Sequence, residues 1–164
     1  MSFLVKAFNE LGKEFLGMCT LVVCGKIDPN YPEIADSVTT EQKGNIIATG
    51  RIPESDLRAL YSGASCFVNP SLVEGFGLTY LEAQSSRIPV LASDIPVARE
   101  VLSDSAMFFN PNERRDFVDK LTNILQSENQ RRDLVLKGVK NLERFSWQKV
   151  AQETERIYQE ILSK

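Results

Sequence analysis

Histidine is absent from this chain, tryptophan occurs once and cysteine three times. Without imidazole the commonest general base is gone, and with it Ser-His and Cys-His pairs and histidine zinc sites. Cys19, Cys24 and Cys66 are odd in number and have no metal-ligand spacing. Two of them fall in apolar runs that read as strands, which predicts buried free thiols and a reducing, cytoplasmic setting. Chemistry here has to rest on carboxylates, backbone amides and the substrate itself. Positive charge is short too: 19 Lys and Arg against 22 Asp and Glu leave a net charge of −3, no footprint for nucleic acid or an anionic membrane. No apolar run is long enough to span a bilayer, and the opening MSFLVKAFNELGKEF carries charges throughout, unlike a signal peptide.

What is present is the composition of one globular domain: 164 residues, 43% hydrophobic and 25% charged. Leu4, Phe8, Leu11 and Phe15 recur at helical spacing and predict a first helix ending near Gly17. TLVVCG and NIIATG read as buried strands, separated by a polar stretch, Asp28 to Lys43, expected to hold a loop and a short helix. Ser55 is the expected N-cap of a helix facing inward with Leu57, Leu60, Tyr61 and Ala64. SCFVNP, PVLAS and AMFFN are three further strands. Asn112 is expected to cap a helix burying Phe117, Leu121, Ile124 and Leu125, a second helix covers roughly Asn129 to Arg144, and Ser146 caps a last one. In that last helix Trp147, Val150, Ala151, Thr154, Ile157, Tyr158, Ile161 and Leu162 form a continuous apolar stripe. Short continuous apolar runs alternating with helices predict an α/β fold: a Rossmann-like, doubly wound parallel sheet in three α/β/α layers, with C-terminal helices.

In such folds ligands bind at the carboxyl ends of strands. PSLVEGFGLTYLEA, residues 70–83, lies at such an end, with Glu74 and Glu82 eight positions apart around Gly75-Phe76-Gly77. The glycines allow close approach of a ligand or positive φ, and a helix starting near Gly77 presents free N–H groups and its positive dipole end to an anion. Those amides can hold a phosphate without a lysine, and Thr79 can add a hydroxyl. Glu82, one turn further along, can accept two hydrogen bonds from a ribose diol. Glu74 would project toward whatever hangs from the phosphates.

This stretch resembles the E-x7-E segment of retaining GT-B glycosyltransferases of the family 4 group, which includes bacterial mannosyl- and glucosyltransferases. The likeness continues through GRIPESDLRALYSGASCFVNPSLVEGFGLTYLEA, PVLASDIPVAREV and FSWQKVAQETERIY. It implies that residues 1–164 form the donor-binding, C-terminal Rossmann-like half of an enzyme that moves a hexosyl group from a nucleoside-diphosphate sugar in polysaccharide or glycolipid synthesis. By position, Glu74 matches the acid that holds the donor sugar and is the residue assigned to catalysis. Gly75, Phe76 and Gly77 lie along the sugar and phosphate, Leu78 and Thr79 match pyrophosphate contacts, and Glu82 matches the ribose-binding acid. Arg51 and Ile52 match the segment bordering the nucleobase. The resemblance requires no metal and no cofactor beyond the donor substrate.

Three departures from the family pattern set further expectations. Ser86, Arg87 and Ile88 stand where the family often has a small residue and glycine, which puts the local turn geometry in question. Ala98 stands where relatives often carry histidine, and Arg99 and Glu100 read as a helix-surface pair. The family's first strand, with its Arg/Lys pyrophosphate clamp, has no counterpart before FLVKAFNEL, and Lys6 is a poor substitute. The acceptor-binding N-terminal domain or subunit is likewise unmatched, and the complete enzyme is expected to meet a membrane at most peripherally. Without that first strand, either the flanking strands close up, pairing Val22 or Val23 with Phe67 or Val68, or another chain fills the gap by swapping or association, as in a homodimer. Closure is the expectation. The isolated chain is expected to be inactive in transfer. A rival reading is a non-catalytic nucleotide-binding or interaction module, a split-gene subunit or remnant.

Overall fold

A computed structural model describes residues 2–12, 15, 17–26 and 45–163. Its strands are β1 (Leu21–Cys24), β2 (Ile46–Gly50), β3 (Phe67–Asn69), β4 (Val90–Ser93) and β5 (Met107–Phe109). The helices are α1 (Ser2–Asn9), α2 (Glu54–Gly63), α3 (Leu78–Ser85), α4 (Pro96–Leu102), α5 (Arg114–Gln126), α6 (Glu128–Leu142) and α7 (Trp147–Leu162). The polar stretch between β1 and β2, with its expected short helix, lies outside the described residues.

Every strand pair is parallel, as the continuous apolar runs predict. β4 is buried along its whole length, between β3 and β5, with Leu91 set against Val68 on one side and Met107 on the other. One apolar cluster joins α1, α5 and α6 to the sheet through Leu4, Phe8, Leu91, Phe109, Phe117 and Leu134. A second, on the other face, gathers Tyr80, Ala83, Val90, Ala98 and Leu102. Helices thus cover both faces of a parallel sheet.

The sheet is not continuous. β1 pairs with β2, and β3-β4-β5 form a separate ladder. Among the described residues Val22 and Val23 make no ladder with Phe67 or Val68, so the expected closure does not occur. The two half-sheets nevertheless share one core, because Leu21, Ala48 and Val68 pack on the same cluster.

Local chemistry moves several boundaries. α1 stops at Asn9, short of Gly17, where i→i−3 bonds from the Glu10 and Leu11 amides to Ala7 O and Phe8 O tighten the chain at 3.2 and 3.1 Å. Leu11 and Phe15 still reach the core. Pro53, not Ser55, caps α2: its extended backbone presents a carbonyl to the Asp56 and Leu57 amides, while the Ser55 hydroxyl donates to Asp56. Glu113, not Asn112, caps α5, because the Asn112 amide is held by Asn110 Oδ1 at 3.0 Å. Ser146 caps α7 as expected, accepting from the Lys149 amide, and Ser127, which the sequence reading did not single out, caps α6 by accepting from the Gln130 amide. The stripe of α7 is exposed: Trp147 and Leu162 are 78% and 86% accessible, and no residue of the helix is buried. Cys19 and Cys66 are half-buried, but Cys24, the last residue of β1, is exposed, contrary to the expectation of a buried thiol. No helix among the described residues is long and apolar enough to cross a membrane.

Candidate functional site

β3 ends at Asn69, and the chain then turns through Glu74-Gly75-Phe76-Gly77 into α3 at the carboxyl edge of the sheet. Gly77 caps α3 with φ 84°, a left-handed conformation, and a Cβ placed there would lie 2.3 Å from Tyr80 Cε2. Glycine is required twice over, by backbone and by packing. Gly75 is different: a Cβ there would meet nothing within 4 Å. The Leu78 and Thr79 amides have no intrahelical acceptor by position, whereas Tyr80 N–H is taken by Gly77 O at 2.9 Å. Leu78, Thr79 and Phe76 are exposed around this opening.

The two acids are each held by a partner. Asn69, buried at the end of β3, donates its Nδ2 to Glu74 Oε1 at 3.1 Å and accepts the Ser71 amide at 2.9 Å. Tyr61, on α2, donates its hydroxyl to Glu82 Oε2 at 3.2 Å. Burial raises the Tyr61 phenol above its ordinary value, Glu82's charge and hydrogen bond raise it further, and Cys24 at the end of β1 adds a smaller push. Tyr61 therefore stays a donor, and it ties α2 to α3. Tyr80 lies fully buried beneath the turn, its phenol pushed up to about 12 by burial, with Glu74's charge adding to the effect. Its hydroxyl has no protein partner among the described residues.

Glu74, the turn, Leu78 and Thr79 thus follow one another after β3, and Glu82 lies one turn further along α3. Arg51 and Ile52 follow Gly50 at the carboxyl end of β2, the same edge but the other half-sheet. No hydrogen bond or ion pair among the described residues joins them to Glu74, Glu82 or the turn. Tyr61, Asn69 and Tyr80 carry no motif of their own, and only their proximity in the fold reveals them.

Arg87 takes φ 58°, so the turn where glycine was expected does adopt a left-handed geometry, here with an arginine. Arg99 does not pair with Glu100: it forms two 2.7 Å bonds to Asp94 and lies 3.9 Å over the Phe108 ring. This pairing holds the Asp94 carboxyl below its ordinary value.

An open cavity of ≈ 590 Å³ lies at the opposite edge, lined by residues just ahead of the strands, among them Cys19, Ser65, Arg87 and Pro89. It shares no residue with the turn. Parallel α/β sheets bind ligands at their carboxyl edge, which favours the turn.

Over residues 1–140 the sequence matches the Glycosyl transferases group 1 family. It is 36% identical over 106 residues to the O-antigen chain mannosyltransferase RfbU of Salmonella typhimurium, covering 65% of this chain and 30% of that protein. A second relative, the serotype-specific mannosyltransferase WbdA of Escherichia coli, is 32% identical over 152 residues, 90% of this chain and 18% of that one. The fold superposes on sucrose-phosphate synthase from Thermosynechococcus elongatus with a TM-score of 0.84 at 23% identity, over 99% of this chain and 42% of that one. The chain spans less than half the length of each of these proteins. On the family match over most of its length, the chain belongs to the glycosyl transferases group 1 family.

Proposed function

We propose that this chain binds a nucleoside-diphosphate sugar across the Gly75-Phe76-Gly77 turn, as the donor-binding half of a retaining hexosyltransferase. The observation that carries this reading is a left-handed glycine cap between two oriented carboxylates, Glu74 on Asn69 and Glu82 on Tyr61. In this reading the Gly75–Thr79 amides hold the diphosphate and stabilise the charge that develops as it departs. Glu82 accepts from the ribose diol, Glu74 fixes the sugar hydroxyls, and Arg51 with Ile52 borders the base. Departure and attack on one face of the sugar would preserve anomeric configuration. The acceptor half comes from a partner domain or subunit. Donor sugars of this class place the reaction in the cytoplasm. Alone, the chain transfers little or nothing, since neither acceptor positioning nor water exclusion is available.

Calorimetric titration with the UDP and GDP series tests the reading. Hydrogen bonds to a charged group contribute about 1.5–3 kcal/mol, so Glu82→Ala should weaken diphosphate binding by roughly tenfold or more with the fold intact. Glu74→Gln should spare free diphosphate but abolish the preference for the sugar-linked form. Equal affinity of wild type and Glu82→Ala removes Glu82 from the site, and an unchanged sugar preference removes Glu74. Nucleotide binding with no transfer even when an acceptor half is supplied would favour a non-catalytic nucleotide-binding module.

A further inference from the structure

Phe76 is the one residue of the Gly75-Phe76-Gly77 turn with a side chain, and its ring does not lie free. It packs edge-on against Phe145, with centroids 5.7 Å apart and planes at 84°. Phe145 sits in the junction between α6 and α7, its amide bonded to Leu142 O at 3.0 Å. The neighbouring Arg144 guanidinium stands 5.1 Å from the Phe145 ring centroid. Arg144 is itself anchored, donating to Asn141 Oδ1 at 2.7 Å, Val101 O at 3.3 Å and Glu100 O at 3.0 Å.

The same last turn of α6 also grips the helix that carries Glu82. Asn141 Nδ2 donates to Gln84 Oε1 at 2.9 Å, and Gln84 Nε2 to Ser105 Oγ at 2.7 Å, all three side chains being buried. α6 can approach this closely because Gly138 has no side chain; a Cβ there would lie 3.1 Å from Gln84 Cγ. Gln84 follows Glu82 by two positions, and Phe76 precedes it by six. One short segment, Asn141 to Phe145, therefore braces both flanks of the site.

We propose that Phe145 is a positioning residue for the phosphate-binding turn, acting through Phe76; this rests on the nucleotide reading above. Tyr80 packs under Gly77 and Asn69 holds Glu74, while the Phe76 side chain between them is seated against Phe145. With the Phe76 ring seated, the amides on either side of it are held at one spacing before the diphosphate arrives, which reduces the ordering cost of binding.

The test compares Phe145→Leu, Phe145→Tyr and a core control, Ile124→Val, which is buried in α5 away from the turn. UDP and GDP affinities are measured by calorimetry, and thermal unfolding is followed in parallel. Phe145→Leu should weaken diphosphate binding about three- to tenfold, the worth of an aromatic pair, and Phe145→Tyr should restore it to within about twofold. Ile124→Val should lower the melting temperature without changing affinity. Equal affinity of Phe145→Leu and wild type overturns the proposal, and so does an equal loss in Ile124→Val. If the wild type binds no nucleotide, the nucleotide reading fails first, and amide hydrogen exchange at Gly75–Leu78 decides the bracing. Faster exchange there in Phe145→Leu than in both wild type and Ile124→Val supports the brace, and unchanged exchange refutes it.

Discussion

The two half-sheets support the site unequally. The β3-β4-β5 half carries Glu74, the glycine turn and Glu82, and everything beneath them is packed: β4 is buried end to end, and Tyr80 fills the space under Gly77. The β1-β2 half carries Arg51 and Ile52, its strands are mostly half-buried, and Gly50, also left-handed at φ 65°, has nothing within 4 Å of where a Cβ would go. In the proposed reading, the groups assigned to phosphate and ribose therefore all lie in the β3-β4-β5 half. In that reading the residues assigned to the base, Arg51 and Ile52, lie in the β1-β2 half, and the Tyr61–Glu82 bond joins α2 to α3.

The sharpest break in this comparison is a matched pair of glycine substitutions. Gly77→Ala meets both a positive φ and the Tyr80 ring, and should cost about 2–4 kcal/mol and abolish diphosphate binding. Gly50→Ala meets only the torsional penalty, about 1 kcal/mol, and should leave diphosphate affinity nearly intact. Denaturant unfolding with parallel titration checks both, and equal costs would erase the distinction between the halves.

Next comes the polar brace. Asn141→Leu strips buried Gln84 and the Val101 carbonyl of a donor and should destabilise the protein by about 2 kcal/mol. A neutral result by thermal unfolding would mean that the brace is dispensable.

Tyr80→Phe should act in the other direction, stabilising by about 1 kcal/mol, because it removes a buried hydroxyl without a partner. It also carries a pH signature. The folded phenol lies above its ordinary value of 10.0, at about 12, so its contribution is fully present below pH 10 and is lost as pH rises through the folded value. Cys66, pushed up to about 12 from 9.0 by burial, adds a loss of the same sign over a range that starts lower. Urea midpoints measured from pH 8 to 11.5 should fall with pH, less steeply in Tyr80→Phe; parallel curves would contradict the assignment.

The smallest effect is expected at Arg87. Its φ of 58° strains any residue with a Cβ, so Arg87→Gly should gain about 0.5–1 kcal/mol even though glycine frees the unfolded chain. A loss in thermal stability would show that the arginine side chain contributes more than its torsion costs.

Much of this arrangement was legible in the sequence. Continuous apolar runs place the five described strands, since a parallel strand covered on both faces has no regular polar alternation. The turn and its acids were legible because glycine and carboxylate are chemically singular in an apolar setting. Their supports were not: Tyr61 lies 21 positions from Glu82, and Phe145 is brought to Phe76 only by the packing of α6 on α3. Helix caps at Pro53 and Glu113 were missed because the serine and asparagine nearby make bonds of their own. The break between the β1-β2 and β3-β4-β5 ladders could not be read, because strand pairing depends on what lies beside a strand. For the same reason the period of α7 gives its apolar face but not its exposure.

The central claim is that the carboxyl-edge turn, rather than the open cavity at the amino edge, is the nucleotide site. Amide chemical-shift mapping on titration with UDP and GDP tests it most directly. The account predicts the largest shifts at Gly75, Gly77, Leu78 and Thr79, with a smaller set at Glu82 and Tyr61. Shifts centred instead on Cys19, Ser65, Arg87 and Arg131, the lining of that cavity, would contradict it.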